Sequence, residues 1–519
     1  MLYDILLVLY FVGTIVGLWF IFKKAGERPW KALVPVYNIV VWIRLCGKSW
    51  KWYVYMLLPA VNVFCFLLLV VETARVFRRY NFWEQLVAVL LPCVYLPVLG
   101  LSKASKYVDP RVEKPAKVSE GRDWLDAIVF AIVAAVIIRG NIFELYQIPS
   151  SSMEKSLLVG DHLMVSKLAY GPRVAMTPLS LPLMHNVVPL IGCKSYLDKP
   201  QLPYHRFPGY SHVKRFDAVV FNFPAGDTIL SGFPDGKYTY YQALQDYGRE
   251  AVWNGRLTID LGAGPVPLGS PEVRPLDKRE NYIKRCVGMP GDTLEVRERV
   301  VYINGRPIET PELSQTTYLV VFDPIQAHPD VLLHEIGVSY DDLGMAMATV
   351  ERFGTAYGMV LPLTTTMVSQ LKGRYDVLDV QPVLAPDDPA LYPSLAEKVQ
   401  SVDNYGPVHI PAKGEVLQLN AKTLPMYRRV IEAYEGNTLE ERDGRIFVNG
   451  KETTTYTVGQ NYYWMMGDNR HHSQDSRYWG FVPEDHVVGR AKTVLWSWNK
   501  DEQGLLKFRN KFFKKVKGE

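Results

Sequence analysis

Residues 52–71 form a run of twenty without a charge, the length an α-helix needs to cross a hydrocarbon core about 30 Å thick. No other feature constrains the fold as strongly. Residues 5–22 are apolar over a comparable length. No basic segment precedes them, and Lys23-Lys24 follow where a cleaved leader would carry small residues, so they read as a retained span. Residues 86–101 are apolar but contain Pro92 and Pro97, which predicts a kinked or broken helix. Residues 32–43 are short and contain Pro35 and Asn38, as in an interfacial or re-entrant piece. Residues 127–138 are too few alone. They span only if Trp124-Leu125 and Ile142-Phe143 extend them past Asp126 and Arg139, with Arg139 snorkelling to an interface.

Basic loops set the expected orientation. Lys103, Lys106, Arg111, Lys114, Lys117 and Arg122 are placed inside, so the final span delivers everything after residue 145 or so to the outer face. Lys23, Lys24, Arg28 and Lys31 also fall inside. Arg75, Arg78 and Arg79 do so only if 32–43 crosses and 86–101 is a re-entrant hairpin, so the span count stays open. The region reads as an anchor, with a partner-binding or regulatory module as the alternative.

From Asp161 the texture changes. Short runs such as 217–221 and 293–303 are rich in β-branched and aromatic residues. Asn304-Gly305 and Asn449-Gly450 each follow such a run and read as hairpin turns. Convincing helical periodicity is scarce, with 339–353 and 424–435 as the candidate helices. Residues 171–208 are loop-rich. The tail over 507–517 mixes basic residues with Phe508, Phe512 and Phe513; a solvated tail is favoured over a membrane-touching one. A net charge of +5 gives no nucleic-acid signal. None of the five cysteines lies in a CxxC or zinc-like spacing, so no metal or cofactor is expected. Cys193 and Cys286 read as two free buried thiols in preference to a disulfide.

Three serines, Ser150, Ser151 and Ser152, sit just after the last apolar run, and Lys284 lies in a strand-like run far downstream. A serine hydroxyl needs a base to become a nucleophile. None of the ten histidines sits in a triad-like context such as G-x-S-x-G, and the lysine in the strand-like run suggests the alternative base. At its ordinary pKa of about 10.4 a lysine is almost never neutral at pH 7. Burial against apolar groups disfavours the ammonium and can make it a base. A lone Ser/Lys pair in a chain this long would be chance, but further motifs follow in order.

They are Gln147-Ile148-Pro149-Ser150-Ser151-Ser152-Met153 with Gly160-Asp161, then Lys214-Arg215-Phe216-Asp217-Ala218-Val219-Val220-Phe221. Next comes Tyr282-Ile283-Lys284-Arg285-Cys286-Val287-Gly288-Met289-Pro290-Gly291-Asp292, and finally Met466-Gly467-Asp468-Asn469-Arg470-His471-His472-Ser473-Gln474-Asp475-Ser476-Arg477-Tyr478-Trp479-Gly480. These boxes resemble those of bacterial type I signal peptidases, membrane-bound Ser-Lys proteases that remove signal peptides. The resemblance implies Ser152 as nucleophile and Lys284 as general base. It makes Ser150 the side-chain donor of an oxyanion hole beside the Ser152 N–H. Ser473 would orient the lysine, with Asp475 and Arg477 as a supporting ion pair. Tyr146, Ile148, Met153, Leu157, Tyr282 and Ile283 would line shallow substrate pockets.

The implied architecture is a multi-span α-helical membrane anchor followed by a mostly β catalytic domain of antiparallel sheets with inserted α/β elements. Residues 1–121 would form the anchor and its basic linker, 122–146 the last span, 147–500 the peptidase domain and 501–519 a basic tail. Insertions at about 227–279 and 311–426 would loop out of the core. The implied location is the bacterial cytoplasmic membrane, multi-pass, with catalysis on the outer side. The implied partners are preprotein signal peptides with small residues at −1 and −3, the lipid bilayer and, as a candidate, the secretion translocon. Ser151 stands where the family usually has Gly, Glu154-Lys155-Ser156 replaces x-Pro-Thr, His471-His472 replaces Asp-Asn, and Cys286 replaces Ala. The two histidines are expected to be solvated or hydrogen-bonded; tuning a pKa or holding a metal is the lesser alternative. Two rival readings remain. Ser152-Met153-Glu154-Lys155 spells the S-x-x-K of penicillin-binding proteins, but K-T-G is absent, since Val494 follows Lys492-Thr493. A membrane scaffold with inactive protease boxes is disfavoured because every catalytic position is filled.

Overall fold

The computed structural model describes residues 2–57, 61–113, 120–188, 193–233, 238–254, 256–260, 264–323, 329–348, 350–353, 356–393, 400–498, 508–509 and 513–516. Lys114, Lys117 and most of 501–519 lie outside them. The chain forms two units, Met1–Ile142 and Phe143–Glu519.

The first unit is helical: α1 (Leu2–Lys24), α2 (Tyr37–Leu45), α3 (Lys51–Leu57), α4 (Val61–Val76), α5 (Phe82–Leu90), α6 (Pro92–Leu101) and α7 (Glu120–Asn141). The uncharged run at 52–71 covers parts of α3 and α4. The run at 86–101 is broken at Leu91, because Pro92 opens α6 and cannot donate to the preceding turn. Asn81 caps α5, accepting from the Trp83 and Glu84 N–H groups at 2.8 and 3.3 Å. Gly17 lets α1 and α6 touch, since a Cβ there would lie 2.5 Å from Leu96 Cβ. Lys24 Nζ then donates to Leu99 O at 3.0 Å and Ser105 Oγ at 2.7 Å, satisfying carbonyl and hydroxyl at the end of α6. Leu18, Ile21, Phe22, Trp42, Leu69 and Val70 are core, while Val8, Leu9 and Phe11 on α1 and Val94 and Val98 on α6 face outward. Among the described residues no helix is both long and apolar enough to cross a membrane.

The second unit is mostly β. Its main sheet is ordered Phe143–Gln147, Asp161–Ser166, Val487–Trp498, Ala218–Asn222, Asn281–Gly288, Tyr462–Met466, Val482–Pro483, and these neighbours are antiparallel. One apolar cluster joins Ile148, Met153, Leu157, Leu163, Val220 and Val494. Another holds Val219, Phe221, Cys286, Met465 and Trp479. Adjacent residues Val219 and Val220 enter different clusters, as the two-residue period of a strand requires. A third cluster, around Leu294, Tyr405, Trp464 and Phe481, supports a smaller sheet of Thr293–Arg297, Val300–Ile303, Arg306–Pro307 and Tyr405–His409. Both Asn-Gly turns form, with Asn304 and Gly305 at φ 52° and 77° and Asn449 and Gly450 at φ 51° and 76°.

Several expectations need adjustment. The first stretch expected to loop out holds helical residues Tyr240–Trp253, interrupted at Gly248 (φ 74°, ψ 163°), which the sequence reading did not single out. It has its own small core of Leu230, Phe233, Val252 and Leu268. In the second, Gln315–Phe322, Ala356–Thr364, Glu351–Phe353 and Val377–Pro382 make a separate sheet. Not all of 311–426 leaves the core, however. Strand Tyr405–His409 pairs with Thr293–Arg297, because Tyr405 and Val408 are needed to fill the cluster around Trp464. The helix expected over 339–353 stops at Ala348, and Glu351–Phe353 is a strand. That over 424–435 continues as a π-turn from Val430. Cys193 and Cys286 are both free, but Cys193 is exposed rather than buried. Trp464 is fully buried and packs on Tyr405 and Phe481. Trp464→Ala should therefore lower unfolding stability by about 3–5 kcal/mol, measured by urea denaturation.

Candidate functional site

The serines sit in the turn between strands Phe143–Gln147 and Asp161–Ser166. Ile148 closes it, donating to Asp161 O at 2.9 Å and accepting from Gly160 N at 3.0 Å. Gly160 is required, because its φ is +88° and a Cβ there would collide with Trp498 O at 2.0 Å. Asp161 accepts from Leu158 N at 3.0 Å and from the Ser497 hydroxyl, tying the turn to the neighbouring strand. Ser151–Met153 form a single 3₁₀ turn with Ser152 and Met153 buried. Ser151 has no positive φ, so the side chain where the family usually has Gly meets no left-handed strain.

Strand Asn281–Gly288, held between Ala218–Asn222 and Tyr462–Met466, carries Lys284. Its Nζ donates to Ser152 Oγ at 2.6 Å, and Ser150 Oγ lies 3.5 Å from the same oxygen. Lys284 is 5 % exposed and Ser152 9 %. Burial drives the Lys284 pKa down to about 8, against an upward pull from the Asp475 and Asp468 carboxylates. Tyr282, on the same strand face as Lys284, places its ring centroid 5.8 Å from Nζ. That is near the outer limit for a cation–π contact, so burial dominates.

The loop after strand Tyr462–Met466 closes the site from the other side. A Cβ on Gly467 would lie 2.1 Å from Ser473 Oγ and 2.6 Å from Ser152 O, so only glycine lets the three approach. Asp475 caps the short helix Ser476–Trp479 and accepts from Gly467 N at 3.0 Å. Arg477 grips both its oxygens, at 2.9 and 2.8 Å. Burial alone would raise the Asp475 pKa; the guanidinium and these hydrogen bonds hold it below the usual carboxylate range. Ser473 is buried in this loop, but its hydroxyl has no hydrogen-bond partner, so no bond to Lys284 is formed.

The expected pocket residues separate into two groups. Ile148, Met153 and Leu157 belong to one cluster, with Tyr146 and Ile283 packed against it. Tyr282 instead packs on the other cluster. Its ring stacks on Phe223 at 4.4 Å, with Trp479 edge-on at 5.6 Å. Strand alternation separates Tyr282 from its neighbour Ile283.

Three features were not singled out from the sequence. Arg285 and Asp468 form a second buried bidentate pair, at 2.7 and 2.6 Å. Both sit in the quoted boxes, yet nothing in their spacing pairs them. Asn469 donates its backbone N–H to Ser152 O at 3.1 Å and its side-chain amide to Ser151 O at 3.4 Å. Phe216 holds φ +69° where the resembled family has Gly. His471 is hydrogen-bonded, as expected. Its Nδ1 accepts from Thr317 N at 3.2 Å, and Nε2 lies 2.8 Å from Asp403 Oδ1. His472 is exposed. No metal-capable group of His, Cys, Asp and Glu occurs among the described residues. Lys155 donates to Gly337 O at 2.6 Å, and Ser152 opens no α-helix, so the S-x-x-K geometry is not formed.

The arrangement can move a proton between a desolvated amine and a buried hydroxyl, beside donors for a developing oxyanion. Breaking the Asp475–Arg477 pair would leave a buried charge uncompensated. Arg477→Ala is expected to cost about 3–5 kcal/mol of stability, read as a lower urea midpoint, with Arg477→Lys recovering only part of it.

The model of the family described as signal peptidase, peptidase S26, matches residues 121–332 and 347–496. A family of unknown function, DUF5684, matches residues 30–110. A signal peptidase I of Haemophilus influenzae is 25% identical over 393 residues, covering 74% of this chain and 72% of the relative. Signal peptidase I of Buchnera aphidicola from Acyrthosiphon pisum is 23% identical over 379 residues, covering 72% and 76%. That of Pseudomonas aeruginosa is 21% identical over 397 residues, covering 74% and 75%.

Proposed function

This chain belongs to the signal peptidase family, peptidase S26, and we propose that it removes signal peptides from preproteins with Ser152 as nucleophile and Lys284 as general base. The 2.6 Å contact between a desolvated lysine and a serine hydroxyl carries this reading. Neutral Lys284 takes the Ser152 proton as Oγ attacks the scissile carbonyl. The carbonyl oxygen becomes an oxyanion, held by the Ser152 N–H and the Ser150 hydroxyl. The lysine then gives its proton to the leaving amine. Water, deprotonated by the same lysine, releases the acyl group from Ser152.

Ser473 offers an unused buried hydroxyl beside this reaction. It would orient Lys284 once substrate closes the site, with Asp475 and Arg477 holding the loop behind it. Asn469 is a positioning residue. Its side chain holds the Ser151 carbonyl, and in a trans peptide the Ser152 N–H points the opposite way, toward the oxyanion.

The substrate is an extended segment with small residues at −1 and −3. Alternate side chains enter shallow pockets beside Tyr146, Ile148, Met153, Leu157 and Ile283, where larger groups clash. Tyr282 contributes from the Lys284 side. The helical unit anchors the enzyme as a multi-pass protein of the bacterial cytoplasmic membrane, with catalysis on the outer face. The outward apolar side chains of α1 and α6 support that placement. Holding enzyme and preprotein in one bilayer, near the translocon, raises their effective concentration.

Ser152→Ala and Lys284→Ala should each abolish cleavage of an Ala-x-Ala peptide while leaving the unfolding free energy within about 1 kcal/mol of wild type. Processing by either purified variant would refute the pair. Because the working form of Lys284 is neutral, kcat/KM should fall about tenfold per pH unit below the lysine pKa, which lies at about 8, and level off above it. A flat profile across that range would exclude lysine as the base. Asn469→Ala should lower kcat by about 10- to 100-fold, less than loss of a direct donor, with KM little changed.

A further inference from the structure

The loop over 467–475 that faces Ser152 is tied down at both ends. The Arg470 N–H donates to Gln315 O at 2.9 Å, and Arg470 O accepts from Arg477 at 2.5 Å. Further on, Arg477 grips Asp475. Between these ties, among the described residues, His472 is exposed and the Ser473 hydroxyl has no hydrogen-bond partner. His471, with its side chain only 9 % exposed, anchors this stretch.

Its hydrogen bonds fix its form. The Thr317 backbone N–H, 3.2 Å from His471 Nδ1, can only donate, so that nitrogen carries no proton. The Thr317 hydroxyl lies 2.7 Å from the same nitrogen. The ring proton therefore sits on Nε2, which donates to Asp403 Oδ1 at 2.8 Å. Asp403 is buried, and its other oxygen accepts from Ala385 N at 2.7 Å. Burial would raise the Asp403 pKa, but these two hydrogen bonds hold it below the usual carboxylate range. A carboxylate at position 471 would face Asp403 with like charge. A protonated imidazole would point its Nδ1–H at the Thr317 N–H. The neutral imidazole satisfies both partners. We propose that His471, neutral and protonated on Nε2, is a positioning residue that holds the Ser473 stretch of the loop against the Ser152–Lys284 pair. This role rests on the peptidase reading above. A Cβ on Gly467 would lie 2.1 Å from Ser473 Oγ and 2.6 Å from Ser152 O, so the loop has no slack there. Slippage at His471 moves the wall around Ser152, and a misplacement of about 1 Å costs on the order of 10²-fold in rate.

The test uses the full chain in detergent micelles and an Ala-x-Ala peptide. His471→Ala should lower kcat about 10- to 100-fold, with KM little changed. His471→Asn, which offers an acceptor near the place of Nδ1 and an amide donor, should recover most of that loss. His471→Asp, of the same size but charged against Asp403, should not. A loosened loop also hydrates Lys284, which is faced by Asp475, Asp468 and Arg477. Water favours the ammonium, so the acid limb of kcat/KM should move to higher pH in His471→Ala. Partial unfolding would lower kcat without moving that limb, and Tm reports it separately. Ring ¹⁵N spectra of histidine-labelled wild type, assigned by the signals lost in His471→Asn, should show an unprotonated Nδ1 accepting a hydrogen bond; this measurement serves if His471→Ala does not fold. Unchanged kcat and limb in His471→Ala, equal losses in the Asn and Asp variants, or a protonated Nδ1 would each overturn the role. If wild type leaves the peptide uncut, or Ser152→Ala still cuts it, the peptidase reading fails and takes this role with it.

Discussion

The buried contact between Lys284 and Ser152 depends on removing water from an amine. A lysine left in solvent would stay charged and could not act as a base. Everything around it serves desolvation without loss of position. Its strand is paired on both sides, and the Ser152 turn is packed on Met153 and Leu157. Apolar burial lowers the pKa more than the two nearby carboxylates raise it.

Those carboxylates could have kept the lysine charged. Asp475 and Asp468 are each matched by a bidentate arginine, Arg477 and Arg285. Pairing places a compensating positive charge next to each negative one, so their pull on Lys284 is partial. The pairs also make the loop rigid, since buried ionic groups tolerate few geometries. That loop is further seated by the inserted sheet. Gln315 donates to Asp468 O at 2.8 Å and accepts from Arg470 N at 2.9 Å, while Thr317 bonds His471. An insertion that contributes no reacting group thus braces the loop that holds Ser152.

The two units solve opposite problems. In the catalytic unit, apolar side chains bury inward and polar ones pair. In the helical unit, apolar residues lie both inside, as with Leu69 and Phe22, and outside, as with Val8 and Phe11. Where α1 meets α6, Gly17 lets the two helices approach closely, since a Cβ there would lie 2.5 Å from Leu96 Cβ.

The sequence alone determined the local features. The Asn-Gly turns, the break at Pro92 and the β character after Asp161 follow from backbone preference and short-range pattern, and Ser152 and Lys284 were singled out by the motifs around them. The tertiary structure decided what depends on distant residues meeting. It paired Arg285 with Asp468, returned Tyr405–His409 to the core and left the Ser473 hydroxyl unbonded. Helical segment Tyr240–Trp253 was not singled out; Gly248 interrupts it at φ 74°, and it packs on only a small core of its own. The physical reason is range. Turn and strand propensities act over a few residues, whereas desolvation and ion pairing act through space, between positions whose separation along the chain carries no signal.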